Sequence, residues 1–270
     1  MNGMSEERSA PEEKVRLKLT VAYVGTHYHG WQVQARPSGE LTTVQGMLEA
    51  AAAHVAGVPV HVHGAGRTDA GVHAEAQIAH MDIPVTRAHV DWQMALNTLL
   101  PRDIRVSSVE RVTRDFHAQF DAKRKTYAYR LWLSLRYTPP MLYPFVWACG
   151  PLDVDAMRAV IPHLTGRRDF SSLKNAGTEM LSTVRTLYSI RCTPDDAAGY
   201  CEGERELVWT FEADGFLKQM VRNCMGLLVA AGRGKLNPED VPAILKAADR
   251  RHPGTTAPAQ GLVLKSIDYV

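Results

Sequence analysis

Between His63 and Ala74 the chain reads HGAGRTDAGVHA. One arginine, one threonine and one aspartate sit among three glycines, Gly64, Gly66 and Gly71. Glycine tolerates turns and close approaches that other residues resist, so this loop can bring side chains against a ligand. Asp69 is the residue with chemistry. Two positions from Arg67, its carboxylate can be held ionised by the guanidinium. An ionised, positioned aspartate acts as a nucleophile or as a base. No second carboxylate lies nearby in sequence, so the acid/base pair of a glycosidase is not in view. The loop is also not a phosphate cradle. It has no GxxxxGK[ST] and lacks the third glycine of the dinucleotide fingerprint. A purely structural turn explains the same glycines as well as a catalytic loop does.

Histidines crowd the same region: His61, His63, His73 and His80. An HxH pair on a strand can bind metal, and a hydrolase using His61, His63 and Asp69 is one reading. Amidohydrolase-type sites of that kind sit on an eight-stranded barrel, and this chain shows no eightfold strand–helix repeat. Histidines lining a cleft wall are the preferred reading, with no metal.

These residues must be positioned by regular elements. VRLKLTVAYVG alternates apolar and polar residues from Val15, the pattern of a half-buried strand. Helical spacing predicts a helix over Val44–Val55, with Thr42 or Thr43 as N-cap. VPVHVHG and VHAEAQIAHMDI read as strands on either side of the glycine loop. A helix over Arg87–Leu100 and the strand IRVSSVERV follow. The second half repeats this order weakly. KTYAYRLWL is a strand, Val154–Leu164 a helix with Pro162 inside its last turn, VRTLYSIRCT and ELVWTFEAD a hairpin. Phe216–Ala231 reads as a helix ended by Gly232, a short helix runs from Pro238 to about Asp249, and LVLKSIDYV is a last strand. The expectation is an α+β fold of two similar subdomains, each a mostly antiparallel sheet with helices on one face, with the active cleft between them. The expected division is a disordered polar tail over 1–14, a subdomain over 15–113 carrying the glycine loop, and a subdomain over 114–270.

Charge is segregated. The whole chain has 31 Lys+Arg against 29 Asp+Glu, a net of +2, which excludes a uniformly basic nucleic-acid coat. Yet Pro101–Arg136 carries nine basic residues against four acidic, while Asp195–Asp214 carries seven acidic against one basic. Lys123, Arg124 and Lys125 lead directly into the strand of Tyr127, a candidate phosphate footprint. Phe116, His117 and Phe120, in the same segment, can pack or stack, and core packing is the preferred reading for both phenylalanines. Cys149, Cys192, Cys201 and Cys224 show no metal spacing and are expected as free thiols of a reducing compartment. No signal-peptide core and no run of ~18–20 apolar residues is present, so the expectation is a cytoplasmic protein away from membranes.

GAGRTDAGVHA resembles the catalytic motif of the tRNA pseudouridine synthase A family. VAYVGTHYHGWQ, TTVQGMLEAA, ALNTLLPRDIRV, FHAQFDAKRKTYAYRLW, GRRDFSSLK, FLKQMVRN and GLVLKSIDYV support it in the family's order. The resemblance covers nearly the whole chain from about residue 15. It implies conversion of uridines in the tRNA anticodon stem-loop to pseudouridine, after base flipping. The reaction needs no cofactor, and the family generally works as a homodimer. By resemblance Asp69 is the essential aspartate, Tyr127 the active-site tyrosine that stacks on uracil and relays a proton, and Arg222 the partner of the aspartate. Arg67 and Leu262 match positions near the base. Whether Asp69 attacks uracil, attacks C1′ or removes a ribose proton stays open. An RNA-binding module on the same fold without chemistry is the competing reading.

Overall fold

A computed structural model describes residues 13–34, 41–134, 136–174, 182–195, 205–247 and 254–270. The Glu-rich N-terminal segment, Cys201 and the tip of the acidic hairpin lie outside the described residues. The first half contains β1 (Lys14–Tyr23), α1 (Val44–Ala56), β2 (Val62–Gly64), β3 (His73–Pro84), α2 (Trp92–Leu99) and β4 (Ile104–Val112). The second contains β5 (Arg124–Trp132), β6 (Trp147–Ala148), α3 (Val154–Ala159), α4 (Ile161–Leu164), β7 (Gly166–Asp169), β8 (Val184–Asp195), β9 (Glu206–Ala213), α5 (Met220–Gly232), α6 (Val241–Ala247) and β10 (Leu262–Asp268). This is the α+β class expected from the sequence.

The strands form one open sheet ordered β4-β1-β3-β10-β5-β9-β8-β7, with β2 on β3 and β6 on β5. The weak repeat in the sequence is visible here: β1 lies between β4 and β3, and β5 lies between β10 and β9. The two halves are not separate sheets. They join where β10 runs parallel to β3, through Val263 opposite His73 and Leu264 opposite Ala74. On its other edge β10 pairs antiparallel with β5, Leu264 opposite Tyr127.

Alternation puts Leu17, Leu19, Val21 and Tyr23 on the buried face of β1, where Leu48 and Ala52 of α1 belong to the same core. Thr43 is the N-cap of α1, its hydroxyl accepting from the Gly46 N–H at 3.2 Å. Several boundaries differ from expectation. Pro162 lacks the N–H an inner helical turn needs, so one expected helix becomes α3 and α4. Helix α2 starts at Trp92 because the Asp91 carboxylate accepts from the Met94 N–H at 3.0 Å and so caps it there. Helix α5 starts at Met220 because Gln219 has φ 61, a left-handed backbone that ends the helical run. Strand β2 spans only three residues, and β7 carries no alternation that would have marked it.

Candidate active site

The glycine loop leaves β2 and returns as β3. Its start is fixed by the Ala65 N–H donating to Ile78 O at 2.7 Å, and by Gln77 Nε2 donating to Gly66 O at 2.8 Å. The Tyr23 hydroxyl meets Thr68 Oγ1 at 2.8 Å, and the Trp31 N–H donates to Thr68 O at 3.1 Å. Asp69 then opens a tight turn closed by the Val72 N–H on Asp69 O at 3.1 Å. Gly71 sits third in that turn with φ 79, which a type II turn requires. The loop is held on both sides of Asp69, so the carboxylate is presented by a stiff backbone.

Its partner comes from 153 residues away. Arg222, in the first turn of α5, donates from Nη1 to Asp69 Oδ2 at 3.1 Å. The other end of the same guanidinium donates from Nε to Ala257 O at 2.7 Å, and the Ala257 N–H donates to Arg222 O at 3.1 Å. The segment carrying Ala257 can lie against α5 because Gly226 has no Cβ; one placed there would stand 1.9 Å from Thr255 O. Thr256 adds a hydroxyl hydrogen bond to Asn223 Oδ1 at 2.7 Å. The cation beside Asp69 is therefore Arg222, while Arg67, two residues away in sequence, is exposed on the cleft wall.

Tyr127 of β5 and Leu262 of β10 are buried beside this pair and line the same cleft. Phe216 stands edge-on to Tyr127, ring centroids 5.2 Å apart. Burial, with smaller contributions from Tyr23 and the Asp69 charge, pushes the Tyr127 phenol well above its ordinary value, so it is neutral and proton-bearing at physiological pH. Lys125, two residues earlier on the same face, donates from Nζ to Ala65 O at 2.7 Å and so ties β5 to the glycine loop. Burial, reinforced by Arg185, lowers its ammonium to about 8.

The cleft measures about 1010 Å³ and is walled by both halves of the chain. Among the described residues lining it, Arg67, Lys125, Lys218 and Arg222 are cationic, and Asp69 is the one carboxylate. This excess of cations suits a polyanion with one reactive point. The basic run 123–125 is not brought there as a unit. Strand alternation sends Arg124 to the opposite face, where it pairs with Glu212 at 2.6 Å and lies over the Tyr188 ring. Lys123 is exposed outside the cleft lining. Lys218, Phe216 and Gln219 line the cleft without having been singled out in sequence; FLKQMVRN was the available signal. Gln219 combines its left-handed backbone with a buried Oε1 that has no hydrogen-bond partner.

Histidines 63, 80 and 117 bring ring nitrogens within 4.8 Å of one another, the closest approach to a metal set among the described residues. The donor chemistry does not suit a cation. His80 Nδ1 accepts from the Ala118 N–H, and His117 Nδ1 accepts from the Gln119 and Phe120 N–H groups. Each neutral ring therefore carries its proton on Nε2 and has no second lone pair to offer. His61 pairs instead with Glu49 at 2.6 Å. The described cysteines 149, 192 and 224 are free thiols. Among the described residues no helix is long and apolar enough to cross a membrane.

The profile of a family described as tRNA pseudouridine synthase matches residues 19–121 and 160–270. The chain belongs to the tRNA pseudouridine synthase family. A tRNA pseudouridine synthase A from Lawsonia intracellularis is 57% identical, over 94% of this chain and 99% of its own length. One from Nitratidesulfovibrio vulgaris strain DSM 19637 / Miyazaki F is 52% identical over 94% of this chain and 99% of its own. A tRNA pseudouridine synthase A 1 from Bacillus cereus strain ATCC 10987 is 38% identical over 94% and 98%. Both blocks of the pseudouridine synthase match contribute to the cleft: Asp69 lies in the first, Arg222 and Leu262 in the second. Tyr127 lies between them, on the strand next to β10.

Proposed function

We propose that the chain isomerises uridines of tRNA to pseudouridine in this cleft, with Asp69 as the essential carboxylate. The observation that carries the reading is the buried-side pairing of Asp69 with Arg222 beside Tyr127, inside a cationic cleft of a pseudouridine synthase fold. The reaction balances within the substrate. The N1–C1′ bond breaks, C5 bonds to C1′, and the proton lost from C5 is replaced by one gained at N1. No redox step or outside group enters.

Asp69 starts the cleavage, aimed by Arg222. Tyr127 stacks against the uracil while the ring turns. Because its phenol is neutral, Tyr127 moves the C5 proton as a relay, passing on its own proton as it takes the new one. Leu262 and Phe216 exclude water around the base. Arg67, on the cleft wall, is placed to fill the gap the flipped base leaves in the RNA, and Lys125 meets the backbone. Lys123 and Arg124 contribute only to the outer field. The anticodon stem-loop is the substrate element of this proposal, since bases in or beside a loop cost least to unstack. Action as a homodimer in the cytoplasm belongs to it as well, two modest basic clefts sharing the RNA surface. So does the division into a 15–113 unit bearing Asp69 and a 114–270 unit bearing Tyr127, Arg222 and Leu262.

The test is a purified assay on unmodified tRNA. Asp69→Ala should abolish pseudouridine while retaining tRNA binding. Product formation at the wild-type rate by that variant would overturn the assignment.

A further inference from the structure

Against the expected core packing, Phe120 holds a phenyl ring 74% exposed to water, while Phe116 is partly buried against the core. The segment that carries the ring is fixed by hydrogen bonds. The His117 N–H donates to Asp121 Oδ2 at 2.7 Å, and the Asp121 N–H returns to His117 O at 3.1 Å. Below this turn the Tyr269 hydroxyl donates to Ala118 O at 2.6 Å, and Arg16 Nη1 donates to Phe116 O at 2.9 Å. The turn is closed on itself and tied from outside by Tyr269 and Arg16, and Phe120 lies within it.

One face of that ring is already stacked. His117 lies against it with centroids 4.1 Å apart and planes 26° apart. His117 meets His80 edge-on at 4.7 Å, and His80 stacks on His63 at 4.8 Å and 13°. Burial, and the nearby Arg16 charge, lower His80 to about 4, so the central ring of the column is neutral. The other face of Phe120 is open. The column is built on the β2–β3 pair, where His63 stands opposite His80, one residue before the glycine loop begins. Gln119, next to Phe120 in the chain, and His63, at the column's other end, line the cleft that holds Asp69.

We propose that Phe120, backed by His117, is a stacking platform for an unpaired nucleobase next to the flipped uridine. The proposal rests on the cleft being an RNA site. Flipping one base out of a strand strips its neighbour of a stacking partner. An aromatic face fixed at the cleft rim replaces the lost stack, and it does so for any base, because every base has a π-face. The platform lowers the cost of opening the RNA without reading its sequence.

The experiment uses the full chain and an RNA hairpin with 2-aminopurine beside the target uridine. Fluorescence reports stacking of that base, and pseudouridine formation is followed on the same RNA. The wild type should quench the fluorophore. Phe120→Ala should lose the quench and raise KM by roughly ten-fold or more, with the larger share of the loss in KM and not in kcat. Phe120→Tyr and Phe120→Trp should keep both readouts. Phe120→Leu, apolar but without a π-face, should behave like the alanine variant. Unchanged KM and quenching in Phe120→Ala, or full rescue by leucine, would overturn the platform. Quenching by a wild type that forms no pseudouridine would strike the isomerase reading and leave the platform standing.

Discussion

Arg222 and Asp69 meet at 3.1 Å, and the guanidinium that makes this contact is anchored at its other side by Ala257 O. The carboxylate is thus oriented by a cation that is itself oriented. Removing one partner of a charged hydrogen bond leaves the other incompletely paired, a loss of about 1.5–3 kcal/mol. Arg222→Ala should therefore lower kcat/KM by about ten- to a hundred-fold or more. Arg222→Lys should recover only part of it, since a point charge cannot hold Asp69 and Ala257 O together in one plane. Steady-state kinetics on a tRNA substrate decide this; equal rates for the lysine variant and wild type would show that charge alone suffices.

Tyr127→Phe separates the two jobs of the tyrosine. The ring and its edge-on packing with Phe216 remain, and the hydroxyl goes. A proton-relay role predicts a fall in kcat of about 10²–10⁴-fold with tRNA affinity kept. If the rate stays high, the ring alone serves.

Lys125 gives the cleft a pH dependence. Its ammonium, lowered by burial to about 8, is charged below that pH and neutral above it. Affinity for tRNA should be full below pH 8 and decline as pH rises beyond it, because the cleft loses one cation. An approaching phosphate raises the pKa in the complex, so the decline should be gradual. In Lys125→Arg, which stays charged, this component should vanish from a binding titration over pH 7 to about 10. The stability sign runs the other way. Between about 8 and the ordinary 10.5 the unfolded chain holds a proton that the folded one lacks, so this group favours folding increasingly as pH rises.

Gly226→Ala tests packing against function. The added methyl meets Thr255 O, which must move, and with it Ala257 and the far anchor of Arg222. Overpacking of this kind costs about 1–3 kcal/mol in a urea melt. A loss of kcat beyond that of a folded control variant is expected as well, read at a temperature where both remain folded.

Much of this was legible before the structure. The strands over 14–23, 104–112 and 262–268 follow from alternation, and Thr43 is a cap visible by residue type. What the chain hid were effects of non-local geometry. The three-residue basic run looks like one footprint, yet a strand points Arg124 away from Lys125. Arg67 looks like the partner of Asp69 by proximity, and only the resemblance pointed to Arg222. The start of α5 depends on the backbone of Gln219, and no propensity marks a glutamine as left-handed. The parallel contact between β3 and β10 joins residues nearly two hundred positions apart, beyond any periodicity.

The same contact governs when the cleft is whole. Among the described residues β10 follows every other strand in the chain, and it is the strand that joins the two halves into a single sheet. Before it docks, Leu262 is missing from the cleft and the strands of the two halves are not joined, leaving side-chain contacts such as Arg222 on Asp69 and Lys125 on Ala65 O as the links between them. The proposed site is therefore complete only when this strand is in place.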